Sequence, residues 1–159
     1  MNSTSRTTLM SSVKMDWCTP KVLADRIFEF FGGIDLDPCG NAHSPVRAKQ
    51  IWTAEGLDLP WAGNVYVNPP YGREIGPWIQ KCRKESRNDG IQIVALVPSR
   101  TDTKWFHDAH FDAVCLLRGR LTFVDAPAPA PFPSAILYWG ASPSVFNQTF
   151  GKLGMTLVI

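Results

Sequence analysis

The chain has 159 residues, 45% of them hydrophobic and 11% aromatic, with a formal net charge of +2. That is the size of one domain with apolar side chains enough for a substantial core. No apolar run approaches the roughly 18 residues of a membrane span, so no membrane partner is expected. So small a net charge neither demands nor excludes a nucleic-acid partner.

Residues 1–15 are polar and rich in Ser and Thr, lack the apolar stretch of an export signal, and read as a flexible tail. Residues 16–159 read as one domain. Cys18, Cys39, Cys82 and Cys115 form no Cys-x-x-Cys pair. Without an export signal they are expected to be reduced thiols in a cytosol. Thr19 and Pro20 open a predicted helix, KVLADRIFEFF, in which Leu23, Ile27, Phe30 and Phe31 recur at helical spacing. Thr19 has the chemistry of an N-cap and Pro20 that of a first helical residue. Gly32-Gly33 ends the helix. GIDLD (33–37) reads as a short buried strand stopping at Pro38.

Residues 39–62 carry little pattern, holding a short helix or none. NVYVN (64–68) is a second strand, and a helix follows over about 75–86 with Ile75, Trp78, Ile79 and Cys82 on one face. GIQIVALVP (90–98) is a near-continuous apolar run, typical of a strand covered on both faces. A further helix starts at Asp102 or Thr103 and runs through Trp105, Phe106 and Ala109. His107 and His110 read as its solvated face, and no metal is expected. DAVCLLRG (112–119) is a third buried strand, with RLTFVD pairing to it or to its neighbour. APAPAPFP (126–133) has four prolines in eight residues and reads as an extended loop. SAILYWG (134–140) reads as the last strand, and the final nineteen residues are weakly patterned. Buried strands alternating with helices predict an α/β three-layer sandwich with a mainly parallel sheet. Ligands in such sheets sit at the carboxyl ends of strands, where DPCG and NPPYG fall.

Asn68-Pro69-Pro70-Tyr71 carries the sharpest chemical signal. Prolines offer no N–H, and the residue before each is held extended. Carbonyls therefore project past the strand end with few donors competing for them, and Asn68 adds a side-chain carbonyl. Two adjacent acceptors match the two N–H bonds of an exocyclic amine on a planar ring or amide, and Tyr71 offers a flat face for stacking. The lone pair of such an amine is delocalised into the ring. Two acceptors holding its hydrogens restore nucleophilicity and stabilise the positive charge that develops on attack at a sulfonium methyl. Asp37 can meet the cationic amine of an amino-acid-bearing cofactor or simply cap the turn after its strand, and Thr19, at a helix start, can meet the cofactor's carboxylate or simply cap the helix.

The set Trp17-x-Thr19-Pro20, DLDPC (35–39), Trp61 ahead of NPPYG, LVPSRTDTKWFH (96–107), RGRLTF (118–123) and APFPS (130–134) resembles the phage-type DNA N-6-adenine methyltransferase family over about residues 16–140. The resemblance implies a Rossmann-like S-adenosylmethionine-dependent methyltransferase fold, S-adenosyl-L-methionine as cofactor, and double-stranded DNA as partner with the target adenine flipped out of the duplex. It implies a cytoplasmic enzyme of a bacterial host or encoded by a prophage. Asn68, Pro69, Pro70 and Tyr71 match the catalytic motif. Trp17, Thr19, Pro20, Asp37, Pro38 and Cys39 match the cofactor-side motifs. Glu55, or in its place Asp58, falls where an acidic residue near the cofactor's ribose or adenine is expected. Arg73, Arg100, Lys104, Arg118 and Arg120 are candidates for phosphate contact by charge placement. Two departures stand out. Asp-Pro-Cys-Gly-Asn replaces the usual Gly-x-Gly cofactor loop, and no large insertion is available to read DNA sequence, so recognition falls to loops of the core. Two other readings remain open: a methyltransferase acting on an amine or amide of RNA or protein, and a DNA-binding decoy with a decayed site.

Overall fold

The computed structural model describes residues 17–159; the predicted tail, 1–15, lies outside the described residues. Helices α1 (Lys21–Phe31), α2 (Ile75–Glu85), α3 (Lys104–His107) and α4 (Pro143–Phe150) accompany seven strands. These are β1 (Ile34–Asp37), β2 (Ala48–Ile51), β3 (Asn64–Val67), β4 (Gln92–Pro98), β5 (Ala113–Leu117), β6 (Ser134–Trp139) and β7 (Gly154–Val158). They form one sheet in the order β2-β1-β3-β4-β6-β5-β7. The ladders joining β2, β1, β3 and β4 are parallel, and β6 lies antiparallel between β4 and β5. β5 therefore points the same way as the first four strands, and only β6 and the edge strand β7 run against them.

Side-chain alternation along the strands builds the three layers. Val65 and Val67 of β3, Ile93, Ala95 and Val97 of β4, and Leu137 and Trp139 of β6 face α2, meeting its buried stripe of Ile75, Trp78, Ile79 and Cys82. Tyr66, Val94, Leu96, Ile136 and Tyr138 face the other way, against Leu23, Ala24 and Ile27 of α1 and Phe146 and Phe150 of α4. With both faces covered, β4 reads as the unbroken apolar run seen in the sequence. Truncating one of these fully buried aliphatic side chains to Ala should cost about 2–5 kcal/mol.

Four expectations need correction. Thr19 does not cap α1: Pro20 is the N-cap residue, no side chain caps the helix, and the Thr19 hydroxyl turns inward to Tyr66. The unreadable stretch 39–62 holds no helix, one of its two readings, but it does contain the unexpected β2, an edge strand with mostly exposed side chains. RLTFVD is not a strand. β5 already has β6 and β7 on its two sides, and the loop's backbone bonds go elsewhere, from Val124 N to Cys18 O (3.1 Å) and from Ala130 N to Leu121 O (2.7 Å). The final nineteen residues form α4 and β7, so SAILYWG is not the last strand.

The chain leaves β1 toward β2 on one side, then places β3 on the other side of β1. Strand order reverses at the carboxyl ends of β1 and β3, the place where doubly wound sheets open a ligand crevice. Among the described residues no helix is long and apolar enough to cross a membrane.

Candidate active site

β1 ends in Asp37, which is 3% exposed. Its Oδ1 accepts the Cys39 N–H at 3.1 Å. The chain then folds tightly over the carboxylate at Gly40. A Cβ there would lie 2.4 Å from Ile51 Cγ2 and 3.1 Å from Asp37 Oδ2. A side chain at this position would collide with β2 and crowd the carboxylate. A second glycine, Gly56, passes just as close. A Cβ on it would stand 2.0 Å from the Pro38 carbonyl oxygen. Burial pushes the Asp37 carboxyl from its ordinary 3.8 up to about 7, against the lowering effect of the Cys39 N–H.

Asp37 forms part of a cleft of about 210 Å³ with Cys39, Asn41, Ser44, Thr53, Tyr66 and Asn68. Trp17, Cys18, Gly40, Pro69 and Pro70 complete its lining. A buried carboxylate that accepts a single N–H bond among the described residues is better satisfied by a ligand bearing a cation or several donors. The donor set therefore fits an amino-acid-bearing cofactor.

β3 ends at Val67, which delivers Asn68 to the rim. The Asn68 amide is held at both ends. Its Nδ2 donates to the Trp17 carbonyl at 2.5 Å and lies 3.4 Å from Thr19 Oγ1. Its Oδ1 accepts the Tyr71 hydroxyl at 2.9 Å. A carbonyl oxygen has two lone pairs, so Oδ1 retains capacity for a second donor. No backbone N–H among the described residues bonds the carbonyls of Pro69 or Pro70.

Beyond Tyr71 lies a second, larger cleft of about 700 Å³, at the carboxyl ends of β3 and β4. Its walls include Trp17, Tyr71, Trp105 and Phe132, with Pro98 and Pro131 between them and the guanidinium-bearing Arg73 and Arg100 at the edge. The Tyr71 ring packs edge-on against Phe132 (5.6 Å) and Phe123 (6.4 Å). Burial raises its phenol well above the ordinary 10.0, so the hydroxyl remains a donor.

The structure brings together Trp17, Asp37, Cys39, Asn68, Pro69, Pro70, Tyr71, Arg73 and Arg100, all on the two clefts. Thr19, 1% exposed, stands behind the wall. Pro20 and Pro38 shape the backbone without lining either cleft. Glu55 and Asp58 are exposed in the turn after β2, outside both linings; Glu55 accepts the Asp58 and Leu59 N–H groups through its backbone oxygen. Lys104 pairs with Asp108 one helical turn on. Arg118 and Arg120 lie in the loop after β5, away from the cleft linings. Asn41, Ser44, Thr53 and Tyr66 have no signal of their own in the sequence. Trp105 and Phe132 have one, lying within the LVPSRTDTKWFH and APFPS segments.

A mixed, mainly parallel sheet with β6 reversed between β4 and β5, and an Asn-Pro-Pro-Tyr wall at its switch point, defines a Rossmann-like methyltransferase. The chain belongs to the DNA N-6-adenine-methyltransferase (Dam) family, whose model matches residues 6–132. It is a DNA adenine N6-methyltransferase. A search among curated proteins gives no match.

Proposed function

We propose that the protein takes its methyl group from S-adenosylmethionine held in the smaller cleft and places it on the exocyclic amine of an adenine flipped from double-stranded DNA into the larger one. The observation that carries this reading is the shared wall. Asn68, Pro69 and Pro70 face the smaller cleft, Tyr71 faces the larger, and Trp17 lines both. A donor on one side and an acceptor on the other would meet across a single tetrapeptide.

The bound cofactor supplies an electrophilic methyl on a sulfonium. The chain supplies everything else. Asp37 accepts the cofactor's ammonium, and Asn41, Ser44 and Thr53 offer polar partners for its remaining groups. Asn68 Oδ1 and the Pro69 carbonyl accept the two N–H bonds of the adenine amine. This draws its lone pair out of conjugation and stabilises the charge that grows on nitrogen. The proton leaves afterwards from a strongly acidic cation, so no general base is needed before attack. Tyr71, Trp105 and Phe132 provide faces or edges for an unstacked base. Arg73 and Arg100 sit where the flanking phosphates would pass.

The test is to incubate purified protein with labelled S-adenosylmethionine and unmethylated duplex DNA, then digest the DNA and identify the modified nucleoside. N6-methyladenine is expected. Label in RNA or protein but not in DNA would leave the chemistry and move the substrate. No label and no cofactor binding would refute the reading.

A further inference from the structure

Asn68 can serve an amine only if its oxygen, not its nitrogen, faces the target. The two orientations of an amide are nearly equal in shape, so hydrogen bonds must choose between them. Trp17 O is purely an acceptor and selects Nδ2 at 2.5 Å. That carbonyl belongs to the segment Trp17-Cys18-Thr19, which no helix or strand contains. Something must brace it.

The brace is visible from two sides. Outside, the Trp17 ring packs against Phe123 (5.0 Å) and Phe132 (5.5 Å), and Cys18 O accepts the Val124 N–H. Inside, Thr19 Oγ1 lies 2.5 Å from the Tyr66 hydroxyl. Tyr66 and Asn68 are two residues apart along β3 and its extension, so their side chains project to the same side of the sheet. Both meet the Thr19 hydroxyl, Tyr66 closely and Asn68 at 3.4 Å. Tyr66 is fully buried and Thr19 nearly so.

We propose that Thr19 and Tyr66 are positioning residues for Asn68: their hydroxyl pair ties the Trp17–Thr19 segment to β3 and so fixes which end of the Asn68 amide faces the substrate. This rests on the catalytic reading of Asn68. It gives Thr19 a task different from direct contact with the cofactor carboxylate.

The variants are Tyr66→Phe and Thr19→Val, which delete one hydroxyl each with little change of shape, and Thr19→Ser, which keeps it. Single-turnover methylation at saturating cofactor and DNA should fall about 10–100-fold in the first two, somewhat less than the loss of a hydrogen-bonding group that touches the reacting atoms. Thr19→Ser should stay within about threefold of the parent. Cofactor Kd should change by less than about threefold in Thr19→Val and Thr19→Ser, because Thr19 stands behind the cleft wall; Tyr66 lines the smaller cleft, so Tyr66→Phe is read by single-turnover rate and by the Asn68 amide signals. A second readout needs no activity. The side-chain amide protons of Asn68, assigned by their loss in Asn68→Ala, should give two distinct NMR signals in the parent. In Tyr66→Phe and Thr19→Val these should shift and broaden as the amide gains freedom to turn.

A tenfold weaker cofactor with unchanged turnover in Thr19→Val would make Thr19 a cofactor ligand and overturn the proposal. Unchanged Asn68 amide signals in both hydroxyl-deleted variants would overturn it as well. If the parent binds cofactor but methylates no DNA, the substrate reading fails while the amide signals still decide the positioning role.

Discussion

Asp37 makes the protein's stability depend on pH in a direction opposite to most paired carboxylates. Its burial lifts the carboxyl from 3.8 to about 7. In the unfolded chain Asp37 gives up its proton near 3.8, while the folded protein keeps it until about 7. Between those values rising pH favours the unfolded state. The contribution of Asp37 is therefore complete below about pH 4, declines through the window up to about 7, and is level above it. At about 1.4 kcal/mol for each tenfold change, the span amounts to at most about 4 kcal/mol. Asp37→Asn keeps the shape and removes the titration. Urea unfolding of both proteins from pH 4 to 8.5 should show the stability difference growing in favour of the variant up to pH 7 and holding constant beyond. A difference independent of pH would refute the account of Asp37 as a carboxyl raised by burial. Cofactor affinity should move the other way in the parent. An ammonium partner needs the carboxylate, so Kd should fall about tenfold for each pH unit approaching 7 and then level off.

Three further outcomes are expected. Asn68→Ala should abolish methyl transfer while leaving cofactor Kd within a few-fold, as measured by single turnover and calorimetry; the opposite pair of effects would exchange the roles of the two clefts. Replacing both Arg73 and Arg100 with Gln should flatten the salt dependence of DNA binding by nearly one unit of slope for each phosphate that is no longer neutralised. The Arg118→Gln, Arg120→Gln protein should keep the parent slope, and a larger effect there would move the DNA path onto the loop after β5. Gly56→Ala should lower stability by about 1–3 kcal/mol in urea melts. The new methyl would collide with Pro38 O and with Trp78 Cη2, the latter 2.6 Å away. Because Pro38 follows Asp37 directly, cofactor binding should weaken too.

What is legible in the sequence is local chemistry. Asn-Pro-Pro-Tyr announces its acceptors because proline removes donors within the same few residues. β4 announces itself because a strand covered on both faces needs no alternation. Thr19 reads as a cap for the same reason of locality. A Thr-Pro pair before an amphipathic run satisfies every nearby rule, and only a partner 47 residues away in sequence shows where the hydroxyl goes. β2 and β7 escape a sequence reading because both are edge strands with several exposed side chains, which blurs any period-two pattern. Glu55 has the right charge for a carboxylate near the cofactor, but the turn that carries it has a positive φ of 63° and leaves its side chain in solvent. Asn41, Ser44 and Thr53 join the smaller cleft only because β2 pairs with β1 and draws its flanking loops to the strand ends.

The surroundings of Asn68 also explain why this position holds an amide rather than the chemically similar carboxylate. Burial drives both neighbouring phenols, Tyr66 and Tyr71, above their ordinary values, so both stay neutral donors in a dry setting. A carboxylate at position 68 would turn the Nδ2 contact with Trp17 O into a close approach of two acceptors at 2.5 Å. It would also place a second acid on the cleft that already holds the buried carboxyl of Asp37. Asn68→Asp should therefore lose most activity at pH 8, although it keeps an oxygen where the amine needs one. As pH falls the new acid takes up a proton, its O–H can donate to Trp17 O, and the acceptor oxygen is again held toward the target. Activity relative to the parent should rise between pH 8 and 6, measured as single-turnover rates at saturating cofactor so that the titration of Asp37 cancels. A flat ratio would mean that the Trp17 contact does not decide which end of the side chain faces the amine.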